Sequence, residues 1–155
     1  MTHRLDYNTA APAGMKALGG VYGYVSQSGL PKALIDLVYL RVSLINGCAY
    51  CIDMHTRDLI KDGIPIDKIA LTPVWHEAGE LFSARERAAL RWAETVTKVA
   101  ETAVPDTEFQ AARAAFNEKE LADLTIAIGL MNTYNRLAIS FRATPQAVKE
   151  LQRVA

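Results

Sequence analysis

The sequence predicts an all-α protein, a single-domain helical bundle. No segment alternates apolar and polar residues between turn-forming residues for long enough to indicate a strand. Apolar residues instead recur at helical spacing, and residues that typically begin or end helices separate these apolar segments. No internal repeat and no linker divides the chain, so we expect one domain spanning residues 1–155.

Two helices are predicted before the cysteines. The first spans about residues 13–28, although its glycines weaken it. The second begins at Pro31, because proline is favoured in the first turn, and runs to about Ile45. It is apolar on nearly every side, which predicts burial all round. Asp36 interrupts it, and a buried carboxylate needs a partner, for which an arginine such as Arg136 is a candidate.

A third predicted helix carries the two cysteines of the chain. Asn46-Gly47 interrupts the second helix, and Asn46 is a candidate N-cap for the next one. This third helix spans about Cys48 to Asp62, and Gly63 ends it. The sequence therefore places a CxxC pair at the N-terminus of a central helix.

The second half of the chain carries several helix-start signals. Ser83 and Asn117 each precede a glutamate three residues later, which has the form of a capping box. Thr144 followed by Pro145 is typical of an N-cap and the first helical position. The remaining predicted helices share such signals and short connections, and they span about residues 66–71, 83–100, 105–116, 117–141 and 144 onward.

Composition limits the possible functions. There are 17 basic and 17 acidic residues, and this formal net charge of zero argues against binding to nucleic acid or to an anionic membrane. No apolar run approaches the roughly 20 residues that span a bilayer, and no secretion signal is evident at the start. We therefore expect a cytoplasmic protein. In that reducing compartment a lone CxxC pair is more typical of catalysis or metal binding than of a structural disulfide.

Cys48, Cys51 and His55 are predicted to share one face of the third helix. At about 100° per residue, Cys51 lies about 60° from Cys48 around the helix axis, and His55 lies about 20° from Cys48. Ile52 and Leu59 fall on or near the same face, so this face is expected to look toward the core. The thiols and the imidazole should therefore lie in a partly buried pocket.

Thiols in this setting are acidic nucleophiles. The helix N-terminus favours anions, an imidazole one turn onward can accept a thiol proton, and paired thiols share the resulting charge by hydrogen bonding. A thiolate attacks a peroxide to give a sulfenic acid, which condenses with a nearby thiol to form a disulfide. The spacing of Cys48 and Cys51 allows that disulfide without a large backbone movement.

Other interpretations of the CxxCxxxH pattern remain open. Cysteine is among the most buried residue types, so both thiols and His55 could be inert core residues. The three side chains could also hold zinc, with Asp36 as a fourth ligand, although there is no second CxxC and no HxxxH. A thioredoxin fold is not favoured, because the βαβ context of its CxxC is missing.

Three segments of the chain together carry a family pattern. The first, LIDLVYLRVSLINGCAYCIDMHTRDLIKDG, contains an acidic residue, then LRVS, then NGCxYCxxxH and a closing glycine. The others are LFSARERAALRWAETVT and YNRLAISFR. This pattern resembles the alkylhydroperoxidase D / carboxymuconolactone decarboxylase family over most of the chain. The family fold is all-helical, which agrees with the helices predicted above.

The resemblance implies an antioxidant thiol peroxidase. In the family, the second cysteine of CxxC attacks the hydroperoxide, and the first resolves the product as a disulfide. Carried over, Cys51 would be peroxidatic, Cys48 would be resolving, and His55 would relay the proton of Cys51. The family has a glutamate twelve residues before the first cysteine, where this chain has Asp36. Aspartate is one methylene shorter, so the relay is expected to need an extra water or to be slower.

The resemblance also implies partners. A hydroperoxide would be the substrate, and an external dithiol, on a lipoyl-bearing or thioredoxin-like protein, would supply electrons. No cofactor and no metal is predicted. The family is commonly oligomeric, so a homo-oligomer, a trimer or a hexamer, is expected. The intact pair favours the peroxidase branch over the decarboxylase branch, but general thiol–disulfide exchange and a non-catalytic redox or zinc-binding module remain alternatives.

Overall fold

The helices pack around one central helix, which we call α3. The computed structural model describes residues 3–154, and its α-helices are α1 Tyr7–Ala10, α2 Pro12–Ser26, α3 Lys32–Asn46, α4 Ala49–Lys61, α5 Ile66–Leu71, α6 Ala84–Thr97, α7 Val99–Thr102, α8 Asp106–Ala115, α9 Glu118–Phe141 and α10 Gln146–Val154. Between α5 and α6 lie two 3-10 helices, Thr72–Glu77 and Gly79–Leu81. Residues 3–154 contain no strand, and none of their helices is long and apolar enough to cross a membrane. The predicted all-α helical bundle is confirmed.

Helix α3 is buried on nearly all sides, as its sequence predicts. It packs against α4 on one side and against α6 and α9 on others. Its residues 34–40 are all buried, as are Val42 and Ser43. Each fully buried leucine or valine contributes roughly 1.5–3 kcal/mol relative to an exposed one. This helix is therefore the main apolar anchor of the fold, and it holds Asp36 among apolar neighbours.

The junction between α3 and α4 is a Schellman turn. Gly47 adopts the left-handed conformation with φ of 69°, which glycine tolerates because it has no Cβ. Its N–H donates to the Leu44 carbonyl at 3.3 Å, and the Cys48 N–H donates to the Ser43 carbonyl at 3.0 Å. Cys48 is thus the last residue of this turn and also the N-cap of α4. The prediction that Asn46 is the N-cap of α4 is wrong, because Asn46 still belongs to α3.

The predicted capping boxes of α6 and α9 are confirmed. The Ser83 hydroxyl accepts from the Glu86 N–H, and the Asn117 side chain accepts from the Glu120 N–H. In each box the glutamate also accepts from the N-cap N–H. Two predicted boundaries fit less well. Helix α6 ends at Thr97 and not near residue 100, and α10 begins at Gln146, one residue after Pro145.

Candidate active site

The sulfur of Cys48 caps helix α4. Cys48 Sγ accepts the hydrogen bond of the Cys51 backbone N–H at 3.3 Å, in the place that a serine or aspartate oxygen takes in an ordinary N-cap. Both cysteines are free thiols, and only 1% of Cys48 and 2% of Cys51 is exposed. Because Cys48 directly follows the turn at Gly47, the end of α3 fixes where its sulfur lies.

The two thiols differ in acidity. The hydrogen bond from the Cys51 thiol, helped by the Cys51 backbone N–H, lowers the pKa of Cys48 to about 7 against the cost of burial. The same hydrogen bond to Cys48, together with burial, raises the pKa of Cys51. Of the two thiols, Cys48 is therefore the one that loses its proton first. The negative charge then lies on Cys48 at the helix N-terminus, where the helix dipole favours it.

Cys51 and His55 line a cavity of about 330 Å³. Cys48 is not among the residues that line it, so Cys51 is the sulfur that a small molecule in this cavity meets. The volume lies within the usual range for small-molecule sites. The wall is largely aromatic and apolar, with contributions from Tyr7, Tyr22, Tyr50, Tyr134, Met54 and Met131.

His55 is a buried, neutral imidazole. Only 3% of it is exposed, and this burial lowers its pKa to about 4, although the Asp58 carboxylate opposes the shift. His55 Nδ1 lies 3.8 Å from Asp58 Oδ2, too far for a hydrogen bond. Neither ring nitrogen has a hydrogen-bond partner within residues 3–154. His55 is thus uncharged at neutral pH, with one ring nitrogen free to accept a proton.

Asp36 is buried but pairs with a lysine and not with an arginine. Its Oδ2 accepts from Lys32 Nζ at 2.6 Å, and the same ammonium also contacts Asp62. Burial raises the pKa of Asp36, and the Lys32 ammonium offsets part of that effect. The suggested pairing with Arg136 is wrong, because Arg136 donates to the carbonyl and side-chain oxygens of Asn132. The structure records no hydrogen bond between Asp36 and His55.

A sequence profile that describes the carboxymuconolactone decarboxylase family matches residues 12–95, just over half of the chain. The chain belongs to the carboxymuconolactone decarboxylase family. The matched range contains Asp36, both cysteines and His55. The family resemblance drawn from the sequence is therefore confirmed, and with it membership of a family of enzymes.

Two relatives match this chain over nearly its whole length. Uncharacterized protein YdfG of Bacillus subtilis (strain 168) is 36% identical over 140 residues, which cover 90% of this chain and 95% of that protein. The crystal structure of ATU0492 from Agrobacterium tumefaciens, a protein of unknown function for which an AhpD-type antioxidant defence role has been suggested, has a TM-score of 0.89. It is 42% identical and covers 93% of this chain and 98% of its own.

More distant solved structures share the fold. The debrominase Bmp8 in complex with 2,3,4-tribromopyrrole has a TM-score of 0.80 at 16% identity, over 95% of this chain and 79% of that one. An uncharacterized peroxidase-related protein from Ralstonia eutropha JMP134 with an AhpD core has a TM-score of 0.78 at 22% identity, over 90% and 74%. At these identities the likeness shows the fold alone, and the two proteins carry names of different activities, debrominase and peroxidase-related.

Asn135 is a buried residue of the candidate site that the sequence analysis did not predict. Its side-chain amide donates to the Ser43 hydroxyl at 3.1 Å and accepts from Asn46 Nδ2 at 2.9 Å. The same amide favours the thiolate form of both cysteines, because it lowers the pKa of Cys48 and opposes the rise in the pKa of Cys51. The YNR segment was the available signal, since it contains this residue beside Arg136.

The zinc alternative lacks an assembled ligand set. Among the residues that the structure describes, no group of three or more His, Cys, Asp and Glu side chains lies close enough together to hold a metal ion. Asp36, the proposed fourth ligand, instead pairs with Lys32.

Proposed function

We propose that this chain is an antioxidant thiol peroxidase that reduces hydroperoxides through Cys51, Cys48 and His55. The observation that carries the proposal is the position of Cys51. Its sulfur lines an aromatic and apolar cavity, next to an acidic second thiol and a neutral imidazole. Such a cavity supports an organic hydroperoxide with a small apolar body as substrate.

The first step oxidises Cys51. Its sulfur attacks the terminal oxygen of the hydroperoxide, the O–O bond breaks, and the two electrons of the new S–O bond come from sulfur. His55 takes the thiol proton and delivers it to the leaving alkoxide, so that an alcohol departs and a sulfenic acid remains. Proton transfer of this kind contributes roughly 10²–10⁴-fold to a rate.

The second step forms the disulfide. The Cys48 thiolate attacks the sulfenic sulfur of Cys51, an S–S bond forms, and hydroxide leaves and takes up a proton to become water. Cys48 is suited to this step because its hydrogen bonds favour the thiolate. An external dithiol then supplies two electrons and returns both cysteines to the reduced state.

The burial of both sulfurs supports a slender reductant. Since only 1% of Cys48 and 2% of Cys51 is exposed, a reducing thiol must enter the cavity to reach the disulfide. A lipoyl group on a flexible arm can do so more readily than a thiol fixed on the surface of a thioredoxin-like protein. The same burial disfavours the alternative function of general thiol–disulfide exchange with folded proteins.

We further propose that residues 1–155 form one domain that acts in the cytoplasm as a homo-oligomer, a trimer or a hexamer. Helix α2 exposes Val21, Tyr22 and Tyr24, which supports self-association because exposed apolar patches often mark interfaces. Light scattering on the eluting peak of a sizing column measures the mass, and a monomer at micromolar concentration would contradict this proposal.

Cysteine variants test the peroxidase proposal. The wild-type protein should lose two thiols for each equivalent of hydroperoxide and form an intramolecular disulfide. Cys48→Ser should stop at a sulfenic acid on Cys51, which a dimedone adduct detects by mass spectrometry. Cys51→Ser should lose turnover by at least about 1000-fold, as expected when a nucleophile is removed.

The outcome for Cys51→Ser decides the assignment of roles. Turnover that survives in Cys51→Ser but not in Cys48→Ser would make Cys48 the peroxidatic residue. Activity that survives loss of both cysteines would point to chemistry of a different class. Circular dichroism of each variant checks that the helical fold is unchanged.

A further inference from the structure

Two cavities share Tyr22 as a lining residue. The larger is the one that Cys51 and His55 line, and Tyr22 forms part of its wall. The smaller, of about 90 Å³, is lined by Asp36 and Tyr39, and Tyr22 also contributes to it. Asp36 and Tyr39 are three residues apart on α3, so they lie on the same side of that helix. Tyr39 thus contacts the imidazole ring and also lines the cavity that Asp36 lines.

Tyr39 and His55 pack against each other, and each carries buried polar atoms that have no hydrogen-bond partner within residues 3–154. The two rings are 5.3 Å apart between centroids and tilted by 46°. Only 1% of Tyr39 and 3% of His55 is exposed. The Tyr39 hydroxyl and both His55 nitrogens are buried and have no hydrogen-bond partner within residues 3–154. Buried polar groups are nearly always paired, so three unpaired atoms on one contact call for an explanation.

We propose that Tyr39 is a positioning residue for His55 and that its hydroxyl links the imidazole to Asp36 through bridging water. This inference rests on the proposed peroxidase function. A phenol has one donor and one acceptor site, so its oxygen can accept a proton from the imidazole side while its own proton passes toward the carboxylate. Ordered water is the usual partner of buried polar groups that protein atoms leave unpaired.

The proton balance of this link closes. When Cys51 attacks, its proton moves to the free nitrogen of His55, and the other ring proton passes through the Tyr39 hydroxyl to Asp36. The imidazole and the phenol stay neutral while Asp36 holds the proton as a carboxylic acid. The proton then returns along the same route through His55 to the leaving alkoxide, which departs as the alcohol, and Asp36 is a carboxylate again. Burial raises the pKa of Tyr39, which keeps the hydroxyl protonated as the link requires, and burial raises the pKa of Asp36, which helps it to accept a proton.

A purely structural role explains the Tyr39 hydroxyl less well. If packing were its only role, phenylalanine would be the more stable residue at this position, because a buried hydroxyl without any partner is destabilising. Since the proposed partners of the hydroxyl are water molecules, its removal should change the melting temperature little, while it impairs His55. A loss of function without a matching loss of stability is the signature of a positioning role.

Several ionisable groups face His55 and must be held constant in the test. They are Asp58 on its own helix, Lys32 and Asp36 on α3, Tyr22 on α2, Tyr134 on α9 and Tyr7 on α1. Tyr39→Phe leaves all of them in place and keeps the ring that packs on the imidazole. A change in His55 is then attributable to the hydroxyl alone.

The test compares Tyr39→Phe with Tyr24→Phe. The control removes a tyrosine hydroxyl that donates to Asp123 at 2.7 Å, away from both cavities. In reduced protein, we expect the imidazole NMR signals of His55 to change in tautomer ratio or titration midpoint for Tyr39→Phe but not for the control. In turnover, we expect kcat to fall about tenfold with KM nearly unchanged, as for loss of a group that assists proton transfer.

Each outcome decides the proposal. Wild-type NMR signals and wild-type kcat in Tyr39→Phe would overturn it. The NMR experiment needs no peroxide. If the wild-type protein has no peroxidase activity, the proposed function fails, while the NMR signals still decide whether the Tyr39 hydroxyl governs His55.

Discussion

Asn135 joins three helices beneath the cysteine pair. It lies on α9, hydrogen-bonds Ser43 and Asn46 near the end of α3, and lowers the pKa of Cys48 at the start of α4. It is fully buried, so its amide cannot exchange these partners for bulk water. A single amide therefore sets part of the acidity of Cys48 from outside the helix that carries it.

Replacement of Asn135 should make the thiols less acidic. In Asn135→Leu, loss of the amide hydrogen bonds should raise the pKa of Cys48, and the pH midpoint of alkylation by iodoacetamide should rise by about one unit. Asn132→Ala is the matched control, because Asn132 also lies on α9 and accepts from Asn46 but does not contact the thiols. Equal shifts in both variants would contradict a direct role of Asn135.

The residues of the candidate site were predictable only where they share one helix. Cys48, Cys51 and His55 were grouped from their spacing alone, because a single helix fixes their relative positions. Asn135 and Tyr39 reach the site from other helices, and their positions depend on how those helices pack. Periodicity does not encode that packing. The lysine partner of Asp36 is a different case, because Lys32 lies four residues earlier on the same helix, a spacing that the sequence displays.

At the scale of the helix, the turn at Gly47 sets the position of the sulfurs. Its positive φ ends α3 and directs the chain into the Cys48 cap within one residue. A Cβ at Gly47 would meet no atom within 4 Å, so a larger residue there suffers from backbone strain and not from a clash. The position therefore isolates the cost of the left-handed conformation.

Gly47→Ala should destabilise the protein by about 1 kcal/mol, because alanine resists positive φ. The melting temperature measures this change. Gly129→Ala is the opposing control, since Gly129 lies inside α9, where a Cβ also has open space. There alanine should stabilise by roughly 0.5–1 kcal/mol through its higher helix propensity. Stabilisation by both substitutions would contradict the strain at Gly47.

Helix starts were predicted better than helix ends and short helices. The capping boxes at Ser83 and Asn117 are local and use side chains that the sequence displays. The cap at Cys48 was assigned to Asn46, because a sulfur acceptor is rare and asparagine is a common N-cap. Helices α1 and α7 have four residues each and are too short to leave a periodic apolar pattern.

At the scale of the whole molecule, the buried imidazole makes stability depend on pH. The pKa of His55 is about 4 in the folded protein, against an ordinary value of 6.5. Between these values the unfolded chain binds a proton that the folded protein does not, so protonation favours unfolding. As far as His55 is concerned, the free energy of unfolding is therefore highest above pH 6.5, and it decreases as the pH falls toward 4.

The free energy of unfolding should be about 2 kcal/mol lower at pH 5 than at pH 7. Urea denaturation at the two pH values measures this difference. In His55→Gln, which has no imidazole to titrate, most of it should disappear. The same loss of stability in wild type and variant would assign the pH dependence to other groups.

The sulfur cap on α4 ties the oxidation state of the protein to its backbone. A thiolate at Cys48 is a strong acceptor for the Cys51 N–H, but a sulfur in a disulfide is uncharged and accepts weakly. We expect the first turn of α4 to fray in the oxidised form, so that amide hydrogen exchange at Cys51 speeds up there while the middle of α9 stays protected. Such loosening would open the otherwise enclosed disulfide to its reductant only when there is a disulfide to reduce.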